Sequence, residues 1–180
     1  MNNKSHSTQK MVISALCIAL CYVLPFLTGG NQQLNTALSP MHIPVFLCGY
    51  VCGPWWASAV GFISPLLRSL TLNAPPMPGA AAMAFELAAY GLCAGLMYRL
   101  LPKKVPGLYA TLLISMVVGR IVSVLAKIVV FSIAARPVTV SVFITEAFVN
   151  TLPGAALHLA LIPPVVMALQ RALPWLKKSK

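Results

Sequence analysis

Six apolar runs, separated by short polar or proline-rich breaks, set the rhythm of the chain. They cover about 10–27, 41–53, 55–72, 80–101, 107–133 and 143–172. Most are too long for strands and read as helices. Pro25 and Gly29-Gly30 end the first run, and Gly53-Pro54 separates the second from the third. The segment Asn73–Gly79, NAPPMPG, cannot be helical and reads as a loop. Pro102–Pro106 makes a short basic turn, and 134–142 a loop containing Arg136-Pro137. The last run is expected to break or kink near Pro153 and again at Pro163-Pro164. The second and third runs are short and tightly joined, so five spans is the rival count.

Composition turns these helices into membrane spans. The chain has 180 residues, 59% hydrophobic and 8% charged, with mean hydropathy +0.85. A bilayer span needs roughly 20 mostly apolar residues. The expectation is an all-α integral membrane protein, a six-transmembrane-helix bundle forming a single domain over 1–180. Met1–Lys10 followed by Met11–Leu27 has the layout of a signal peptide. With no small-x-small cleavage site and further spans behind it, it reads as a retained first helix.

The formal net charge is +11, and it bears on orientation. Lys4, Lys10, Arg99, Lys103, Lys104, Arg171, Lys177, Lys178 and Lys180 fall on the side of the two termini, against Arg68 and Arg136 on the other. Basic residues favour the cytoplasm, so both termini are expected there. No basic cluster interleaved with aromatics points to nucleic acid. The cysteine pairs 17/21 and 48/52 each share a helix face. They read as small buried apolar residues rather than a metal site, and no cofactor is expected.

Ionisable residues inside spans are functional candidates, because each costs several kcal/mol to bury in lipid, about 2.5–3.5 for a cation near the middle. Arg120 and Lys127 stand seven residues apart in the fifth run, on one helix face. Glu86 and Tyr90 share a face of the fourth run, and Glu146 and Asn150 a face of the sixth, which His158 continues. Arg68 sits near the outer end of the third. Together they describe an outward-opening pocket lined by Glu86, Tyr90, Arg120, Lys127, Asn150 and Glu146, with His42 and Arg68 at its mouth. Three cations meet two acids, and the surplus positive charge favours an anionic ligand; arginine suits a carboxylate through bidentate bonding. The bland alternative is that the charges form buried structural pairs, with His158 a packing histidine.

Small residues make a second pattern: Ala15/Ala19, Gly49/Gly53 and Gly91/Gly95, each spaced by four. Such spacing lets helices approach closely. No phosphate loop, HExxH or GxSxG motif is present, so an enzyme is not expected and uphill transport would need an ATPase from elsewhere.

The AxxxA of the first run, with SPMHIPVFLCGYVCGPWWASAVGFISPLLRSL and PPMPGAAAMAFELAAYGLCAGLMYRLLPKK, resembles the substrate-binding S components of energy-coupling factor vitamin transporters, in the pantothenate-type branch. The resemblance implies a subunit of a bacterial plasma-membrane importer that captures a vitamin from outside. It implies docking through the first three helices, Ala15 and Ala19 included, onto a membrane T subunit carrying two ATPases. Pantothenate or another carboxylate vitamin is the expected cargo; folate, pyridoxine, a queuosine-type base and cobalamin are the other candidates. The rival from a different class is a structural or assembly subunit without a ligand.

Overall fold

The computed structural model describes residues 3–29, 32–135 and 139–172, and among these it holds helices and turns but no strand. In chain order the helices are α1 (Asn3–Val23), α2 (Gln32–Leu38), α3 (His42–Val51), α4 (Pro54–Leu72), α5 (Gly79–Leu100), α6 (Val105–Ile133), α7 (Val140–Phe148) and α8 (Leu152–Ala172), with a 3₁₀ turn over Leu24–Thr28. Arg136, Lys177, Lys178 and Lys180, counted above for orientation, lie outside the described residues.

Among the described residues, four helices are long and apolar enough to cross a membrane: Ser7–Leu27, Gly79–Leu100, Val105–Ile133 and Leu152–Ala172. Helix α4 has the length, at 19 residues, but Arg68 and its hydroxyl residues lower its hydropathy. The expected second span is shorter than anticipated. Helix α3 has ten residues, a rise of only about 15 Å at ~1.5 Å per residue. The expected sixth span is two helices: α7 ends at Phe148 and α8 begins at Leu152. The break precedes Pro153, whereas Pro163 and Pro164 lie within α8 without ending it. Helix α2 occupies what read as an irregular polar loop.

Helix α3 is the hub. Eight of its ten residues are buried, as a helix apolar on all sides must be, and α1, α4, α5 and α8 pack around it. Helix α1 turns Ser14, Cys17 and Cys21 inward and leaves Met11, Val12, Leu16 and Leu20 exposed, with Ala15 and Ala19 on that same outer face. The α4–α5 seam is closer still. A Cβ on Gly61 would stand 2.4 Å from the Leu87 carbonyl oxygen, and one on Gly91 2.5 Å from that of Ala57. Only glycine permits backbones this near. Gly53 instead caps the α3–α4 turn with φ +98°, a conformation side chains resist.

Helix α6 shows how the fold handles charge. Leu113, Ile114, Val117, Val118, Ile121, Leu125 and Val129 are exposed, while Met116, Arg120 and Ser123 are buried. The apolar side suits lipid, and Arg120 turns into the bundle. At the opposite end from Arg120, Lys10 and Arg99 share a niche beside Gly53. Near it, Lys103 Nζ stands 5.3 Å from the Tyr98 ring centroid.

Candidate functional site

A cavity of about 590 Å³ opens between α4, α5, α6 and α7 and the segments at 39–42 and 74–79. That is the size class of small-molecule sites, roughly 300–1,000 Å³. Its charged lining is Arg68, Glu86, Arg120, Lys127 and Glu146, with His42 and Ser123.

Glu86 is the organising group. It sits two turns into α5, buried at 6% exposure, and receives donors from two directions. Ser123 Oγ donates to Oε2 at 2.7 Å, and Arg120 Nη1 to Oε1 at 3.4 Å. His42 Nε2 lies 3.5 Å from Oε1, at the limit of hydrogen-bond reach. A carboxylate in low-dielectric surroundings needs such partners, since leaving one without a counter-charge costs several kcal/mol. Ser123 follows Arg120 by three residues on α6, so one helix face presents both groups to Glu86.

Below this pair the site is aromatic. The His42 ring meets Tyr90 edge-on at 5.0 Å between centroids and stacks on His158 at 5.8 Å. Tyr90 fits because Gly119 leaves room: a Cβ there would fall 2.4 Å from its ring. The Arg120 guanidinium stands 5.9 Å from the same ring centroid. His158 Nε2 lies 3.3 Å from the Ser39 carbonyl oxygen. His42 Nδ1, Tyr90 Oη and His158 Nδ1 are buried with no hydrogen-bond partner among the described residues.

Toward the opening a second ion pair appears. Lys127 Nζ donates to Glu146 Oε2 at 2.8 Å, linking α6 to α7, and stands 5.8 Å from the Phe143 ring centroid. Phe143 meets Phe131 edge-on at 5.2 Å. Arg68 is used differently. Its Nε donates to the Ala74 carbonyl at 3.1 Å and its Nη1 to the Tyr22 carbonyl at 2.6 Å, and the guanidinium lies 4.9 Å from the Phe26 ring centroid. It straps the end of α1 to the 74–79 segment. The excess positive charge anticipated from the sequence resides on this strap.

The cavity thus gathers Glu86, Arg120, Lys127, Glu146, Arg68 and His42. His42 stands on the inner wall at 2% exposure, not at the mouth. Tyr90 and His158 lie behind the lining. Asn150 does not join them: it falls in the turn between α7 and α8 and is exposed. The premise of one helix through Glu146 and Asn150 fails at the break after Phe148. Ser123 was not anticipated, although its place between Arg120 and Lys127 on one face was the available signal. The aromatic pair Phe131 and Phe143 went unnoticed because the two rings meet only when α7 folds back on α6.

Neither the curated proteins nor the solved structures offer a match to the chain. A family model described as "ECF transporter, substrate-specific component" matches residues 9–167, nearly the full length. The inward-facing charges, the ligand-sized cavity and the multi-pass membrane helices agree with that match, and the chain belongs to the family of substrate-specific components of ECF transporters.

Proposed function

We propose that the chain captures a carboxylate-bearing vitamin, with pantothenate the first candidate, in the cavity beneath α7, and hands it inward with a T subunit and two ATPases in a bacterial plasma membrane. The observation that carries this reading is the cavity itself: Arg120 and Lys127 face a space of about 590 Å³ instead of lipid. A cation kept in an apolar helix at such cost belongs to a ligand path by default. Arg120 and Lys127 bind the acid group, while His42, with its free ring nitrogen and with Tyr90 packed behind it, defines the deep end. Asn150 has no part in this version of the site.

Six crossings fit the helices. Helices α1, α3, α4, α5, α6 and α8 traverse one membrane domain, α3 being short because the α2 segment fills the outer layer before it. Glu86 and Arg99 on α5 are thirteen residues apart, about 20 Å at ~1.5 Å per residue. The cavity and the Lys10–Arg99 niche therefore occupy opposite halves of the molecule. With basic residues inward, both termini are cytoplasmic and the cavity faces out. Ala15 and Ala19, on the exposed face of α1, offer the T subunit a smooth contact.

Calorimetric titration of pantothenate into the purified chain tests the reading. Saturable binding that Arg120→Ala weakens at least tenfold is expected; equally tight binding by Arg120→Ala removes Arg120 from the site. One observation favours the ligand-free structural reading: Glu86 and Glu146 each already hold a cation. Failure to bind any acid vitamin would favour it.

A further inference from the structure

The cations in the cavity are not equally available. Arg120 and its partner Glu86 have side chains 9% and 8% exposed, and Ser123 fixes the carboxylate from a second side. Arg68 donates to two backbone carbonyls. Lys127 is different. Its side chain is 21% exposed and that of its partner Glu146 42% exposed. Glu146 sits on α7, a nine-residue helix whose main neighbour is α6. An ion pair this open is held only weakly against water and salt, so a competing anion can displace the carboxylate without unfolding anything.

We propose that Glu146 is an internal stand-in for the ligand's acid group: it occupies Lys127 in the empty site, and an incoming carboxylate takes its place. Glu146 then acts as a specificity residue by exclusion. Every acidic ligand must displace it, whereas a neutral analogue gains nothing from doing so. The inference rests on the cavity being the ligand site, and it adds an opposite sign for the two partners. If the pair only braced α7, removing either member would weaken binding alike.

The test uses the purified full-length chain with pantothenate and its neutral alcohol, pantothenol, as probes. Glu146→Gln is expected to tighten pantothenate binding about threefold to tenfold and leave pantothenol unchanged. Lys127→Gln is expected to weaken pantothenate at least tenfold, and adding Glu146→Gln to it to give no further gain. Carbodiimide coupling supplies a second reading. Without ligand, the 2.8 Å contact should yield a Lys127–Glu146 amide detectable by mass spectrometry, and pantothenate should suppress it. If wild type binds pantothenate but Glu146→Gln leaves it unchanged or weaker, or coupling is indifferent to pantothenate, the inference is overturned while the site assignment stands. If wild type binds no acid vitamin, both fall.

Discussion

The α4–α5 seam and the α6–α7 corner bound the same cavity and are built on opposite terms. At the seam, glycines bring backbone against backbone, and a single added methyl at Gly61 or Gly91 meets a carbonyl at 2.4–2.5 Å. At the corner, α7 is held by an edge-on Phe131–Phe143 contact and an ion pair whose acid is 42% exposed. Dense packing has no low-cost intermediate arrangement, so the seam fixes where Glu86 and Tyr90 stand. A short helix with few buried contacts opens at low cost. A carrier needs both: a frame that defines the cargo's shape, and one side that lets it in.

That contrast can be broken most forcefully at Glu86. Glu86→Ala strands a buried Arg120 and should cost about 3–5 kcal/mol, read as a large drop in the melting temperature of the ligand-free chain in detergent. Gly91→Leu attacks the seam directly. The backbone cannot retreat, so a loss near or above the upper end of the about 1–3 kcal/mol typical of overpacking is expected, seen as aggregation on size-exclusion chromatography. Glu146→Gln, at the corner, should cost less than about 1 kcal/mol and leave the melting temperature nearly unchanged. The smallest effect on the chain itself belongs to Ala15→Leu with Ala19→Leu. Both positions are exposed, so stability and ligand binding should hold while co-purification with a T subunit is lost. If the corner variant proved as destabilising as the seam variant, the distinction between frame and entrance would disappear.

Much of this layout could be read from residue order. Proline and glycine marked the α3–α4 turn at Gly53-Pro54, because few other residues tolerate that backbone. The inward aim of Arg120 and Lys127 followed from their spacing and from the cost of facing lipid. Contacts between distant segments were not legible. Nothing local says that His42 reaches Glu86, or that Arg68 spends its donors on Tyr22 and Ala74. Ser123 was hidden for a physical reason: hydroxyls in apolar helices commonly bond the carbonyl four residues back, as Ser64 and Ser115 do here, and sequence does not distinguish the two habits. The α7–α8 break falls beside Pro153, where a break or kink was expected, but it takes the form of a turn at 149–151, so Asn150 lies in that turn and not on a helix face shared with Glu146. Helix α2, short and polar, had no apolar period to betray it.

The role proposed for Arg120 and Lys127 is to meet acidic cargo in the cavity. The most direct test is retention: incubate the purified chain with an equimolar mixture of vitamins, wash, denature, and identify what was held by mass spectrometry. A single carboxylate-bearing vitamin is expected, retained by wild type and lost from the Arg120→Ala, Lys127→Gln double variant. Retention of a cationic or neutral vitamin instead, or of the same acid equally by the double variant, would contradict it.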